Sequence, residues 1–239
     1  MGRAFEVRKV AMGKTAAAKS KLYARYGKEL LMAAKSGIPD PDLNIALKQI
    51  IDRAKRDQVP SDVIKRAIDK AKGGTDENYL PMRYEGFGPE GSMFIVECLT
   101  DNVNRTIAEV RNCFTKTGGK LGINGSVVFQ FEHQVVFTLK NMTEDEILEI
   151  AIEKDLNIKH IEQEEDGTTI YGDATDYSAI KQGLDESNSE LEYLTDAIMW
   201  IPTNEVILTS DEAKQSVDKL MNLLDQLDDV QDVYHNINL

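Results

Sequence analysis

The sequence predicts an α+β protein of three domains, an N-terminal three-helix bundle followed by two ferredoxin-like α/β domains. Three observations carry that reading. Residues 1–79 place their apolar side chains at helical spacing. From Leu80 onward short apolar runs alternate with helical patterns. Between 134 and 203 those runs follow the order β-α-β-β-α-β, a complete ferredoxin-like set lodged inside a second α/β unit.

After a basic arm, MGRAFEVRKVAMGK, an Ala-rich helix is expected from Thr15 to Ser36, with Leu22, Tyr26, Leu30 and Ala33 along one stripe and Gly37 at its C′ position. Ile38-Pro39-Asp40-Pro41 breaks the chain, because Pro disfavours helical backbone at the residue before it. A second helix is read from Asp42 to Asp57, carrying Leu43, Leu47, Ile50 and Ala54, and Val59-Pro60 ends it. Ser61 or Asp62 caps a third, with Ile64, Ala67, Ile68 and Ala71, which Gly73-Gly74 stops. Three short amphipathic helices with tight connections make a small bundle.

Next comes the most informative stretch of the chain, Tyr84 to Thr106, YEGFGPEGSMFIVECLTDNVNRT. Gly86-Phe87-Gly88-Pro89-Glu90-Gly91 reads as a turn, since Gly allows positive φ and Pro fixes its own. Ser92–Leu99 follows as a buried strand, and Thr100, Asp101 and Asn102 are all suitable N-caps for a helix at 103–117. The glycine-rich turn 118–122 then leads to a strand at Ser126–Phe131, closing a β-α-β unit. Val135–Leu139 reads as a strand, and Thr143-Glu144-Asp145-Glu146 as a capping box opening a helix to Lys154. Ile158–Gln163 and Thr168–Tyr171 form a hairpin, Asp176–Ser187 a helix, and Leu191–Ile201 a strand or pair of strands. A helix from Ser210 to Leu227 and the strand Val230–Tyr234 complete the chain. The domains are therefore expected at 1–79, at 80–133 joined with 204–239, and at 134–203 as an insertion.

The Glu-Gly-x-Gly-Pro turn and the Leu-Thr-Asp-Asn-x-Asn-Arg-Thr junction strongly resemble the hallmark of the YebC family of transcriptional regulators. The resemblance extends over essentially the whole chain, including GGKLGINGSVVFQF and the closing DDVQDVYHNI, and implies the same three-domain layout. Most members carry a His-Ser-Lys-Trp motif near the start. Here the arm reads Gly-Arg-Ala-Phe, with Phe5 near the Trp position, which looks like a YeeN-like branch. The resemblance implies a DNA-binding regulator of transcription. It equally implies a second reading, a ribosome-associated translation factor or translational activator on ribosomal RNA.

Charge distribution agrees with a polyanion partner. Residues 1–79 carry 17 Lys and Arg against 10 Asp and Glu, residues 80–130 carry 5 and 5, and residues 131–239 carry 6 and 26. The net charge of −13 thus conceals a basic end on an acidic body, and residues 1–36 alone hold 9 basic and 2 acidic side chains. Such a protein grips a polyanion with one face while the acidic body orients the encounter. Nucleic-acid-binding residues are expected at Arg3, Arg8, Lys9, Lys14, Lys19, Lys21, Arg25 and Lys28, with Lys14, Lys21, Arg25 and Lys28 on neighbouring turns. Tyr23 is a stacking candidate, though a bundle aromatic is more often packed. Lys48, Arg53, Lys55, Arg56, Lys65, Arg66, Lys70 and Lys72 form a second cluster, interleaved with Asp and read chiefly as a solvated face. In the family hallmark, Asn104 and Arg105 are expected to face the cleft between domains and join the same site.

Other chemistry finds no footing. His133, His160 and His235 lie too far apart in sequence for ligand spacing, so no metal or other cofactor is expected. Met12-Gly13-Lys14-Thr15 lacks the upstream glycine of a phosphate loop, since Arg8 stands there, and no strand precedes it. No nucleophile elbow occurs and neither cysteine has a nearby His, so the chain is not expected to be an enzyme. Cys98 and Cys113 read as buried free thiols of a reducing compartment. No apolar run approaches the roughly 20 residues that span a bilayer. The expectation is a cytoplasmic, non-enzymatic regulator bound to DNA or ribosomal RNA, possessing no membrane contact; the sequence is silent on its oligomeric state.

Overall fold

The computed structural model describes residues 16–188 and 190–238, so Arg3, Arg8, Lys9 and Lys14 of the basic arm lie outside the described residues. Three helices open it: α1 (Ala16–Ser36), α2 (Ile45–Arg56) and α3 (Ser61–Lys72). Then follow β1 (Leu80–Phe87), β2 (Met93–Thr100), α4 (Val103–Lys116) and β3 (Lys120–Leu121). The second sheet region holds β4 (Phe131–Leu139), α5 (Glu144–Glu153), β5 (Ile158–Gln163), β6 (Thr168–Asp173), α6 (Tyr177–Ser187) and β7 (Tyr193–Pro202). The chain closes with α7 (Asp211–Asp225) and β8 (Val230–His235). Helices α1 to α3 and the first sheet, with α4, α7 and β8, form one compact unit; Gln130–Asn204 belongs to the other.

The first unit is a three-layer arrangement built on a four-stranded antiparallel sheet of order β3-β1-β2-β8. Strand alternation sends Phe94, Val96 and Cys98 to one face, where they meet Val110, Cys113 and Phe114 of α4 and Val217, Leu220 and Leu224 of α7. Ile95 points the other way and is fully buried, paired with Tyr234. That face lies against the helical bundle. Burial pushes the Tyr234 hydroxyl well above its ordinary range, while Arg53 and Glu29 of the bundle are near enough to act on it. The bundle has its own core of Tyr26, Leu30, Ala33, Leu47, Ala54 and Ile64. Asn44, not Asp42, starts α2: its side chain accepts from Leu47 N and donates to the carbonyls of Ala33 and Ile38, leaving 40–43 as a turn.

Two departures from the sequence reading share one cause. Strand β1, a segment not read as a strand, reaches only Gly86 and Phe87 of the stretch that reads as a turn, and residues 126–130, which read as a strand with Phe131, are a loop ending in a short helical turn at Val128–Gln130. The buried Glu85 carboxylate on β1 accepts the backbone N–H groups of Gly125, Val127 and Val128 at 2.8, 2.6 and 2.9 Å. N–H groups held there cannot enter a ladder, so the third strand of this sheet is Lys120–Leu121. Gly86 is required by close approach, since a Cβ there would lie 2.4 Å from two ring atoms of Phe114.

The turn from β1 to β2 has a further purpose. Glu90 sits at φ 52, which aims its carboxylate at the start of α7, where it accepts Thr209 N at 2.6 Å, Ser210 N at 3.2 Å and the Ser210 hydroxyl at 2.7 Å. These donors, led by Thr209 N–H, lower its carboxyl from 4.5 to about 2. A depressed carboxyl stabilises the fold fully above its unfolded value and loses that contribution as pH falls. The melting-temperature gap between wild type and Glu90→Gln is therefore expected to be constant above pH 5 and to close between about pH 4.5 and 2. A gap that persisted at the acid end would contradict the assignment.

The second unit has sheet order β5-β6-β4-β7, all antiparallel, which is the ferredoxin-like arrangement. Val135, Phe137 and Leu139 of β4 and Ile170 of β6 meet Ile147, Ile180 and Leu184 of α5 and α6. The Thr143–Glu146 capping box is present at the start of α5. The Tyr177 hydroxyl donates to the buried Asp196 on β7 at 2.5 Å.

Candidate nucleic-acid interface

Strand β2 delivers Thr100 to the end of the sheet, and Asn102 caps α4 by accepting Arg105 N at 3.1 Å. That cap places Arg105 and Thr106 on the first turn, beside Thr100, where the loop from α7 to β8 brings Asp229. The Asp229 side chain is only 5% exposed, and one of its oxygens accepts from Arg105 Nη2 at 2.6 Å, Thr106 Oγ1 at 2.8 Å and Thr100 Oγ1 at 3.0 Å. Its other oxygen takes Lys28 Nζ of α1 at 2.8 Å. Lys28 also donates to the carbonyls of Asp228 and Leu99, and lies 5.2 Å from the Tyr79 ring centroid. Burial would raise the Asp229 carboxyl, but the hydrogen bonds from Lys28, Arg105 and Thr106 outweigh it and hold it well below the usual carboxylate range. The same bonds, Asp229 first and Asp101 second, hold the Arg105 proton more firmly than usual.

One turn earlier on α1, Arg25 Nη2 lies 3.1 Å and Lys21 Nζ 3.8 Å from Asp225, the last residue of α7. Lys21, Arg25 and Lys28 therefore share one face, as their spacing predicts, and that face is turned to the carboxylates at the end of α7 and in the α7–β8 loop. Their side chains are 14%, 16% and 15% exposed. Lys19 stands exposed near the start of α1, and Asn104 stands exposed on the first turn of α4. Tyr23 is half-buried against the bundle core. In the second basic cluster Arg53 pairs with Glu29, Arg66 with Asp62 and Lys70 with Glu77.

The structure thus brings Lys21, Arg25, Lys28 and Arg105 together around two aspartates that sequence reasoning left within the acidic body. A signal existed for Asp229 alone: Asp228-Asp229 opens DDVQDVYHNI, a segment that resembles the same family as the hallmark that contains Arg105. Among the described residues, no group of three or more His, Cys, Asp or Glu side chains is placed to hold a metal ion. No described helix is long and apolar enough to cross a membrane.

Residues 3–74 match the family model described as TACO1/YebC protein N-terminal domain, and 79–237 match that of the TACO1/YebC second and third domain. A protein of Acholeplasma laidlawii named "Probable transcriptional regulatory protein" is 55% identical over 237 residues, covering 99% of this chain and 98% of its own. One of the same name from Pseudoalteromonas atlantica is 52% identical over 236 residues, with 99% and 97% covered. Among solved structures, the crystal structure of a conserved hypothetical protein, Aq1575, from Aquifex aeolicus superposes with a TM-score of 0.80 at 34% identity, covering 94% of this chain and 92% of that one. The names of these sequence relatives are those of regulators, not of enzymes.

Proposed function

This chain belongs to the TACO1/YebC family, and from that premise we propose that it is a cytoplasmic, non-enzymatic DNA-binding regulator of transcription that grips phosphate through its basic N-terminal segment. The observation that carries the reading is the segregation of charge, 9 basic and 2 acidic side chains over residues 1–36 against 6 and 26 over 131–239. Within the segment the roles divide. Arg3, Arg8, Lys9, Lys14 and Lys19 are assigned to phosphate, with Asn104 as a neutral polar contact. Lys21, Arg25, Lys28 and Arg105 are engaged by Asp225 and Asp229 and hold α1 on the α/β domain that carries it.

Binding of a labelled duplex and of a ribosomal RNA fragment, titrated against salt, tests this. In a variant with Arg8, Lys9, Lys14 and Lys19 all changed to Ala, duplex affinity is expected to fall. The slope of log Kobs against log salt should flatten by about 0.9 for each phosphate that the variant no longer neutralises. A folded variant with wild-type affinity and slope overturns the assignment. Tight, salt-sensitive binding to the RNA alone moves the protein to the translational reading.

A further inference from the structure

Helix α5 has two unlike apolar sides. Ile147 is fully buried, and Ile150 packs beside it on the core of the second unit. On the opposite side Leu148 and Ile152 are 42% and 81% exposed. At about 100° per residue these two stand about 40° apart and one turn along, so their side chains are neighbours on the helix surface. Glu144 lies about 40° to one side of Leu148, while Asp145 and Glu149 lie about 20° and 60° beyond Ile152. All three carboxylates are exposed and enter no ion pair among the described residues. The Thr143–Glu146 capping box fixes the first turn, so the apolar pair and its carboxylates are presented on one ordered helix. The core has no use for Leu148 and Ile152, and a helix surface in water favours Lys, Glu or Gln over Ile.

Charge decides what can cover this face. Gln130–Asn204 holds 4 Lys and no Arg against 18 Asp and Glu. Each of those lysines is already engaged: Lys140 by Glu192, Lys154 by Glu153 and Glu186, Lys159 by Glu132 and Asp173, and Lys181 by Asp185 and Asp196. The charge left over for a partner is therefore carboxylate alone. Phosphate is repelled by it, and so is the same face of a second copy. We infer that the exposed side of α5 is a docking surface for another protein, whose contacting segment sets apolar side chains between Lys and Arg residues. Leu148 and Ile152 supply the apolar burial, and Glu144, Asp145 and Glu149 beside them steer and select a cationic partner. This role goes beyond the grip on phosphate, which belongs to the basic N-terminal segment, and gives the acidic body a task of its own.

The probe is a synthetic helical peptide with Leu at i and i+4 and Lys elsewhere, and fluorescence anisotropy follows its binding to the full chain near physiological salt. Leu148→Gln with Ile152→Gln keeps every charge and puts a good helix former at two exposed positions, so the melting temperature should hold. Affinity for the peptide is expected to fall by roughly tenfold. Glu144→Gln with Glu149→Gln should weaken binding and flatten its salt dependence. Glu165→Gln with Glu190→Gln removes two exposed carboxylates elsewhere in the unit and should change little. Duplex affinity should stay at the wild-type value in the Leu148→Gln, Ile152→Gln variant, and a parallel fall would overturn the assignment to a protein partner. Wild-type peptide affinity in that variant, or equal weakening by both glutamate pairs, would mean that diffuse charge holds the peptide, and overturns the surface. Failure of the unaltered chain to bind the peptide also overturns it, and leaves the proposed function standing. Self-association that the same variant abolishes would make the occupant a second copy and overturn the cationic partner.

Discussion

Replacing Asp229 by Ala is expected to destabilise the unit that carries the helical bundle by about 3 kcal/mol, the largest loss of any single carboxylate among the described residues. The reason is what stays behind. Lys28, 15% exposed, keeps its charge with no carboxylate at 2.8 Å, and the hydroxyls of Thr100 and Thr106 lose a charged acceptor. Arg105 is 43% exposed and retains Asp101, so its own penalty is small, which keeps the total at the lower end for a broken buried pair. Asp225→Ala is the matched control. Asp225 is 57% exposed, so water already screens its pairs, but Lys21 and Arg25 stay behind 14% and 16% exposed, and the loss should be about 1 to 2 kcal/mol. Calorimetry compares the two variants, and equal small losses would mean that Asp229 does not hold α1 in place. The sign with pH follows from the depressed carboxyl: this stabilisation is fully present above the ordinary Asp range and is lost only as acid protonates Asp229, so wild type and Asp229→Asn should converge in strong acid.

How much of this was legible in the sequence depends on range. Local signals were reliable: the Thr143–Glu146 capping box, the Asn102 cap, the hairpin at 158–173 and the helix that starts after Ser210 are all set by neighbours within a few residues. The order of the inserted ferredoxin-like set was equally readable, because each strand there is a distinct apolar run. What failed was decided at long range. Strand β1 carries a charged residue facing inward, so its alternation points away from a strand until Gly125, Val127 and Val128 are seen to satisfy Glu85 from 40 or more positions away. The spacing of Lys21, Arg25 and Lys28 was legible, but not what they face. Their partners lie about 200 residues on, at the end of α7 and just beyond it; Asp225 appeared in the sequence only as part of an acidic body, and Asp229 as part of a family-like segment with no assigned role. Charge counts describe a segment's total, whereas a binding surface is what burial and pairing leave over.

Glu85→Ala is expected to cost nearly as much as the Asp229 change, about 3 kcal/mol, and to act on a different part of the molecule. Glu85 is 2% exposed, and its carboxylate is the acceptor for three backbone donors of one loop. Burial alone would raise its carboxyl, yet the N–H groups of Gly125, Val127 and Val128, helped by Arg83, keep it below its ordinary range. Removing it leaves buried donors unmatched. Gly125 is exposed, so its N–H can turn to water, whereas the N–H of buried Val127 has no such recourse. The loop's other attachment, Gly122 N to the Glu85 carbonyl at 2.7 Å, is backbone and survives the substitution. Loss of order should therefore be confined to Gly125–Val128, while β3 and the Lys120 side chain on it keep their places. Amide hydrogen exchange at Gly125, Val127 and Val128 is expected to accelerate at least a hundredfold, with Phe94 and Val96 of β2 changing only by the global loss of stability. Glu85→Gln separates charge from shape: an amide oxygen still accepts, but its NH2 faces a donor, so part of the loss should remain. Equal exchange in all three proteins would show that the loop holds without Glu85. Acceleration at Val127 and Val128 alone would identify Gly125 as already solvated, and would place the anchoring entirely on the oxygen that those two share.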